Sequence, residues 1–346
     1  MKKSSFEFLK NLIDKPSPSG FEAEAVEVWK SEVEKYADVS VDIHGNCIAV
    51  LQKGDQPKIM LAGHIDEIGF MVKYIDDKGF IYFVTVGGVD TQIIPGQRVK
   101  IVTKKGNLRG VIGRKPIHKM TAEERKAPVK IEDLWVDIGS GSKEETESMV
   151  DIGDVLVFDV GLEKLQSDIL VGRGLDDKAG AFVIAQVIKG LSEDTFNASL
   201  YGVATVQEEI GLRGAGTSAY GISPDIGIAI DVAFATDHPG MDKRTIGDMK
   251  LGAGPVIARG PNINHKVFDL LIKSAKKTKI PYQVDGVPRG TGTDANAIQI
   301  TKSGVATGLL SIPLRYMHTP VEVINSKDLE YTVILLKEFI KQAHKL

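Results

Sequence analysis

Apolar residues recur along this chain with two different periods, and the period changes twice. Near the start the spacing is helical. Phe6, Leu9, Leu12 and Ile13 share one face of a helix over about residues 4–14, and FEAEAVEVWKSEVEKY predicts a second over about 21–36. VSVDIHGNCIAVLQ and PKIMLAGH then read as a strand hairpin. From about 69 to 163 the chain turns β-rich. GFMVKYIDDKGFIYFVTVGG predicts two strands around an Asp-Asp-Lys-Gly turn, and GQRVKIVTKKGNLRGVIG predicts a hairpin turning at Gly106 and Asn107. DLWVDIGS and DVLVFDVGL add short strands, while the polar stretch 115–130 reads as a loop or short helix.

Beyond about residue 164 strand and helix alternate. Helices are expected at about 177–192, 211–220, 264–278, 293–302 and 326–345, and strands at about 198–206, 225–231 and 305–312. Such alternation argues for a layered α/β sheet. The economical arrangement is one α/β domain made of residues 1–68 and 164–346, with a small β domain, residues 69–163, inserted in its middle.

Length and composition narrow the classes of function. A chain of 346 residues is long for one core, so two domains are expected. The net charge is −3 and no basic block is present, which gives nucleic acid or an anionic membrane no electrostatic purchase. The single cysteine, Cys47, allows no disulfide within the chain and fits a reducing compartment. MKKSSFEFLKNLIDK reads as an amphipathic helix and not as a signal peptide. No apolar run approaches the roughly 18 residues of a membrane span. A cytoplasmic protein is the expectation.

Five short stretches place acidic residues or histidine where a strand pattern runs out. They hold His64, Asp66 and Glu67; Asp176 and Asp177; Glu208 and Glu209; Asp231, Asp237 and His238; and His318 and Glu322. Ligands of open α/β sheets gather at the carboxyl ends of strands. Imidazoles and carboxylates converging there form a ligand set for zinc, cobalt or manganese. Each residue alone has an ordinary reading. Asp176 could cap the following helix, Asp231 could close a turn, and His64 could be a structural histidine. The joint pattern is far more specific than its parts.

AGHIDEIGF, GLDDKAG, VQEEIGLRGA, IAIDV and IPLRYMHTPVEV, in that order, resemble the tetrahedral aminopeptidase or glutamyl aminopeptidase family. These are dinuclear metallopeptidases, some of them labelled endoglucanases. The likeness extends over almost the whole chain, including PSPSGFE near the start and GTDANAIQ at 292–299. The resemblance implies two divalent metal ions per subunit. His64 and Asp231 would bind one, Glu209 and His318 the other, and Asp176 would bridge them. It implies Glu208 as general base and acid, and Asp66 as the residue that orients the His64 imidazole. It also implies a metallopeptidase catalytic domain with a β-barrel-like insert that mediates dimerisation, and dimers that build a tetrahedral dodecamer. Asp177 and Lys178 depart from the arginine or asparagine often found around DDKAG, at positions not expected to bind metal.

The implied reaction removes the N-terminal residue of short peptides. A glycosidase is the first rival. It would use two carboxylates about 5–9.5 Å apart and no histidines. Aromatic residues make up only 6% of the chain, and Trp29 and Trp135 both lie outside the five stretches. An N-acyl deacylase or carboxypeptidase is a second rival, and a metal-bearing assembly scaffold a third. Glu208 argues against the scaffold, because a structural site needs no base. Asp237 and His238 are candidates for lining the pocket, or for an ordinary loop at Pro239-Gly240. Asp294 is a candidate cap of a helix beside it. His44, His118, His265 and His344 read as surface or structural. Nothing in the sequence sets the preferred N-terminal residue.

Overall fold

Four of the most apolar runs lie side by side in the computed structural model, which describes residues 1–346. Ser199–Thr205, Lys58–His64, Ile226–Phe234 and Ala306–Arg315 pair in parallel in that order. They are buried along most of their length, as parallel strands covered on both faces must be. Alternate residues of Lys58–His64 feed opposite faces. Ile59 and Leu61 join the core under the helices Lys3–Asp14, Ala23–Val33, Leu175–Leu191, His265–Thr278 and Ser326–Gln342. Met60 and Ala62 join a smaller core with Ala215, Ala219 and Ile298, from the helices Arg213–Ile222 and Asp294–Gln299.

Antiparallel strands extend this sheet at both edges. Cys47–Gln52 and Asp38–Val41 follow beyond Ser199–Thr205, and Glu322–Asn325, Ile169–Gly172 and Glu163–Lys164 follow beyond Ala306–Arg315. Val256–Arg259 and Gln283–Gly286 branch from Ala306–Arg315, for eleven strands in all. A second sheet closes on itself as a barrel in the order Gly69–Ile75, Ile81–Val86, Leu134–Asp137, Gly106–Arg114, Arg98–Thr103, Val155–Phe158. It has its own core, in which Phe70 meets Phe83 and Phe158 edge to face at 5.1 and 5.3 Å. Closure leaves the barrel without an unpaired strand edge.

The mixed α/β class and the main elements match the periodicity of the sequence, with informative shifts. Asp38–Val41 and Cys47–Gln52 form a hairpin, but Lys58–His64 does not join it, because Ser199–Thr205 lies between them. The helix expected from 211 starts at Arg213, since Gly211 and Leu212 take left-handed backbone (φ 123° and 57°). Within 115–130 lies a short helix, Ala122–Lys126, whose Thr121 and Glu124 form a reciprocal capping box. The strands at Val256, Gln283, Glu322, Ile169 and Glu163 have four residues or fewer. That is too short to show a period.

Candidate active site

The central strands deliver the site residues to one end of the sheet. His64 ends its strand, in register with Thr205. Asp231 stands two residues beyond the Ala229–Ala62 pair, level with His64. Glu208 and Glu209 follow Thr205 in a tight turn, where the Gly211 and Leu212 amides both donate to the Glu208 carbonyl (2.8 and 2.9 Å). Asp176 lies in the first turn of Leu175–Leu191, but with extended backbone, so its carboxylate is not used as a cap. His318, three residues past Arg315, takes left-handed backbone (φ 60°).

All five expected ligands converge as two triads that share one residue. Ligand atoms of His64, Asp176 and Asp231 lie within 4.8 Å of one another, as do those of Asp176, Glu209 and His318. His64 Nε2 is 3.1 Å from one Asp176 oxygen, and His318 Nε2 is 3.4 Å from the other. Asp176 thus spends one oxygen on each triad. His64 Nδ1 donates to the Asp66 carbonyl at 3.1 Å, which orients the ring and leaves Nε2 facing the cluster. Glu208 lines the adjoining pocket of about 580 Å³, with Oε2 3.9 Å from His64 Nε2. A larger groove of about 860 Å³ between the first two helices contains no histidine.

Buried carboxylates hold these groups in place. Asp66 accepts the Glu208 and Glu209 amides (3.0 and 3.2 Å) and the Ser19 hydroxyl (2.6 Å). It lines the pocket nowhere and instead ties the Glu208–Glu209 turn to the segment after His64. Glu322 accepts the amide of Asp176 through one oxygen and that of His318 through the other, both at 3.0 Å. Glu22 accepts the Gln207 amide at 3.1 Å. Glu67 stays out of the cluster: it pairs with the buried Lys178 at 2.8 Å.

The cluster carries more carboxylate than its two imidazoles can balance. Burial, reinforced by Asp231, Asp294 and Glu209, pushes Glu208 up to about 9. Burial and Asp176 push Asp231 up to about 8, and burial also raises Glu209. Contacts with Asp176 and Glu209 lift His318 to about 11. For His64, burial opposes the charge, but Glu208, Asp176 and Asp66 outweigh it and hold the imidazole well above its ordinary value. Asp176 is held below the usual carboxylate range, because contacts with His318 and His64 overcome its burial. Glu209 Oε1 is buried without a hydrogen bond, facing His318 Nε2 at 3.4 Å. An excess of buried carboxylate whose oxygens lack hydrogen bonds is the environment a divalent cation satisfies, so the residues fit the metal ions their pattern implies.

Other expected residues fall elsewhere. Asp237 makes a two-pronged ion pair with Arg315 (2.8 and 2.7 Å), and His238 packs on Tyr316. Neither lines the pocket. Asp294 is not a cap; Thr293 occupies that position, and Asp294 is buried with Oδ2 accepting from Thr205 Oγ1 at 2.5 Å. Sequence reasoning gave no role to Glu22 or Ser19, although PSPSGFE contains both. It also passed over Asp285, which lines the pocket from a four-residue strand.

Fold and centre together place the protein among hydrolases that work with acid and histidine ligands on a mixed α/β sheet. Comparison makes the assignment specific. The profile of the M42 glutamyl aminopeptidase family matches residues 45–335. The lysyl aminopeptidase of Pyrococcus furiosus is 39% identical, over 97% of both chains. The TET aminopeptidase of a marine-sediment Thaumarchaeota archaeon superposes with a TM-score of 0.94 at 36% identity, covering 98% of this chain and 96% of the other. The Pyrococcus horikoshii TET1 peptidase, described as assembling into a tetrahedron or a large octahedral shell, superposes at 0.87 with 34% identity, over 97% of this chain and 99% of its own. The chain belongs to the M42 aminopeptidase family and is a hydrolytic exopeptidase.

Proposed function

We propose that this aminopeptidase cleaves short peptides at a centre of two divalent metal ions, zinc, cobalt or manganese. His64 and Asp231 would hold one, Glu209 and His318 the other, and Asp176 would offer one oxygen to each. The observation that carries this reading is the pair of triads sharing Asp176. Bound there, such ions would supply Lewis acidity and lower the pKa of a water towards about 7. Glu208 is the proton carrier. With two cations offsetting the neighbouring carboxylates its carboxyl would be ionised; it would take the proton of the attacking water as the scissile carbonyl is attacked, and return it to the leaving amine nitrogen. Asp66 keeps Glu208 and His64 oriented while the proton moves. The buried acidic surroundings also favour a free, charged α-amino group on the substrate, which confines cleavage to the first residue.

Within the same reading, residues 1–68 and 164–346 form the catalytic domain and 69–163 an inserted assembly domain. The separate barrel core and closed barrel sheet support this. Copies assemble through the insert as dimers and then as a tetrahedral dodecamer, as the likeness to a shell-forming peptidase supports. The protein works in the cytoplasm; no helix is long and apolar enough to cross a membrane.

The test is Glu208→Gln set beside His318→Ala, with aminoacyl hydrolysis and bound metal measured on both. Glu208→Gln should lower kcat by about 10²–10⁴-fold with metal content intact, and His318→Ala should lose metal. Wild-type kcat in Glu208→Gln, or two retained ions in His318→Ala, would overturn the assignment.

A further inference from the structure

One charged side chain of the pocket takes no part in the reaction derived above. Asp285 projects from the strand Gln283–Gly286 into the cavity that Glu208 also lines. A Cβ built on Gly247 would lie 3.7 Å from Asp285 Oδ1, so the carboxylate sits against the loop that carries Ile246 and Met249. The same cavity is lined by the apolar side chains of Phe234, Ile246, Met249 and Val287. No lysine or arginine lines the pocket. The nearby loop has three cations, but Lys243 and Lys250 pair with Asp248, and Arg244 pairs with Asp242. Asp285 has no ion-pair partner, and its burial pushes the carboxyl up.

An unpaired carboxylate among apolar walls has a definite complement. It is a side chain with a long aliphatic stem and a cationic end, which packs the stem on the walls and brings the charge to the carboxylate. We propose that Asp285 selects substrates whose N-terminal residue is lysine or arginine, and disfavours aspartate and glutamate there by like-charge repulsion. This rests on the aminopeptidase reading. It adds which first residue the pocket accepts, on which the relatives divide, since the matching family is described as glutamyl and the Pyrococcus furiosus enzyme as lysyl.

The experiment is a kcat/KM panel of Lys-, Arg-, Leu- and Glu-p-nitroanilide on the metal-loaded assembly, for wild type, Asp285→Asn and Asp285→Lys. Wild type should prefer Lys and Arg. Asp285→Asn should lower those two by about 10- to 100-fold, the range of a lost charge-assisted hydrogen bond. Hydrolysis of the Leu substrate should stay within about twofold, which also shows that the variant is folded. Asp285→Lys should turn the preference towards Glu. A wild type that prefers Leu or Glu overturns the inference, and so does an Asp285→Asn that slows all substrates alike, while the aminopeptidase reading stands in both cases. Loss of hydrolysis on all four substrates by wild type would overturn both.

Discussion

A carboxylate in this protein acts according to what faces it. Asp176 faces two imidazoles and is held ionised. Glu322 faces two backbone amides and clamps the segments of Asp176 and His318 together. Removing both acceptor oxygens should loosen the centre without replacing a ligand. Glu322→Ala is expected to weaken metal binding by about 10–100-fold, the usual effect of losing a residue that orients ligands, as measured by competition with a chelator. Cys47 provides a contrasting case. Burial pushes its thiol up to about 12, so the thiolate is negligible at pH 8. Iodoacetamide should therefore leave Cys47 unlabelled in the native protein and label it on unfolding. Rapid labelling of the native protein at pH 8 would contradict its burial. The ligand candidates were legible because each follows an apolar run. Asp66 and Glu322 stood in the same stretches, and the resemblance gave Asp66 its role; Glu22 carried no such signal, since the Gln207 amide it holds lies 185 residues away.

The central strands and long helices were legible because each repeats its period several times. The edge strands were not, because four residues contain two alternations at most and borrow their conformation from a neighbour. One contact between elements decides how closely the site can be built. A Cβ on Gly63 would lie 2.9 Å from the Gly180 carbonyl carbon and 3.0 Å from the Ala181 nitrogen, both backbone atoms of the helix that follows Asp176. Gly63→Ala should therefore force strand and helix apart, cost about 1–3 kcal/mol, and displace His64 next to it. A lower thermal midpoint together with reduced metal content would show this; unchanged values would refute it. A second effect belongs to the helix Ser326–Gln342. Asp328, in its first turn, accepts the amides of Gly252 and Gly254, and burial raises its carboxyl to about 6. Because the folded value lies above the unfolded one, this group's contribution is full below about pH 4 and is lost as pH rises through 6. Asp328→Asn should gain stability relative to wild type across that interval, as read from unfolding midpoints at pH 4, 5, 6 and 7. A difference independent of pH would exclude the raised value.

For the whole molecule, the proposed dodecamer predicts a light-scattering mass of about twelve times the 37.5 kDa chain. A monomer or lone dimer at micromolar concentration would exclude it. The division of the strands into two sheets was legible as a change of texture along the chain. The closed barrel was expected from the family resemblance and not from the local pattern, because closure depends on pairings such as Phe70 with Leu156, distant in sequence and invisible in any local period. The site is scattered just as widely, from His64 to His318. During synthesis, at about 5–20 residues per second, His64 leaves the ribosome more than ten seconds before His318. Until then the second triad lacks its imidazole, and on the proposed ligand set the nascent chain is a peptidase that cannot yet cut. Latency during translation therefore requires no removable pro-segment: the order in which the residues are made provides it.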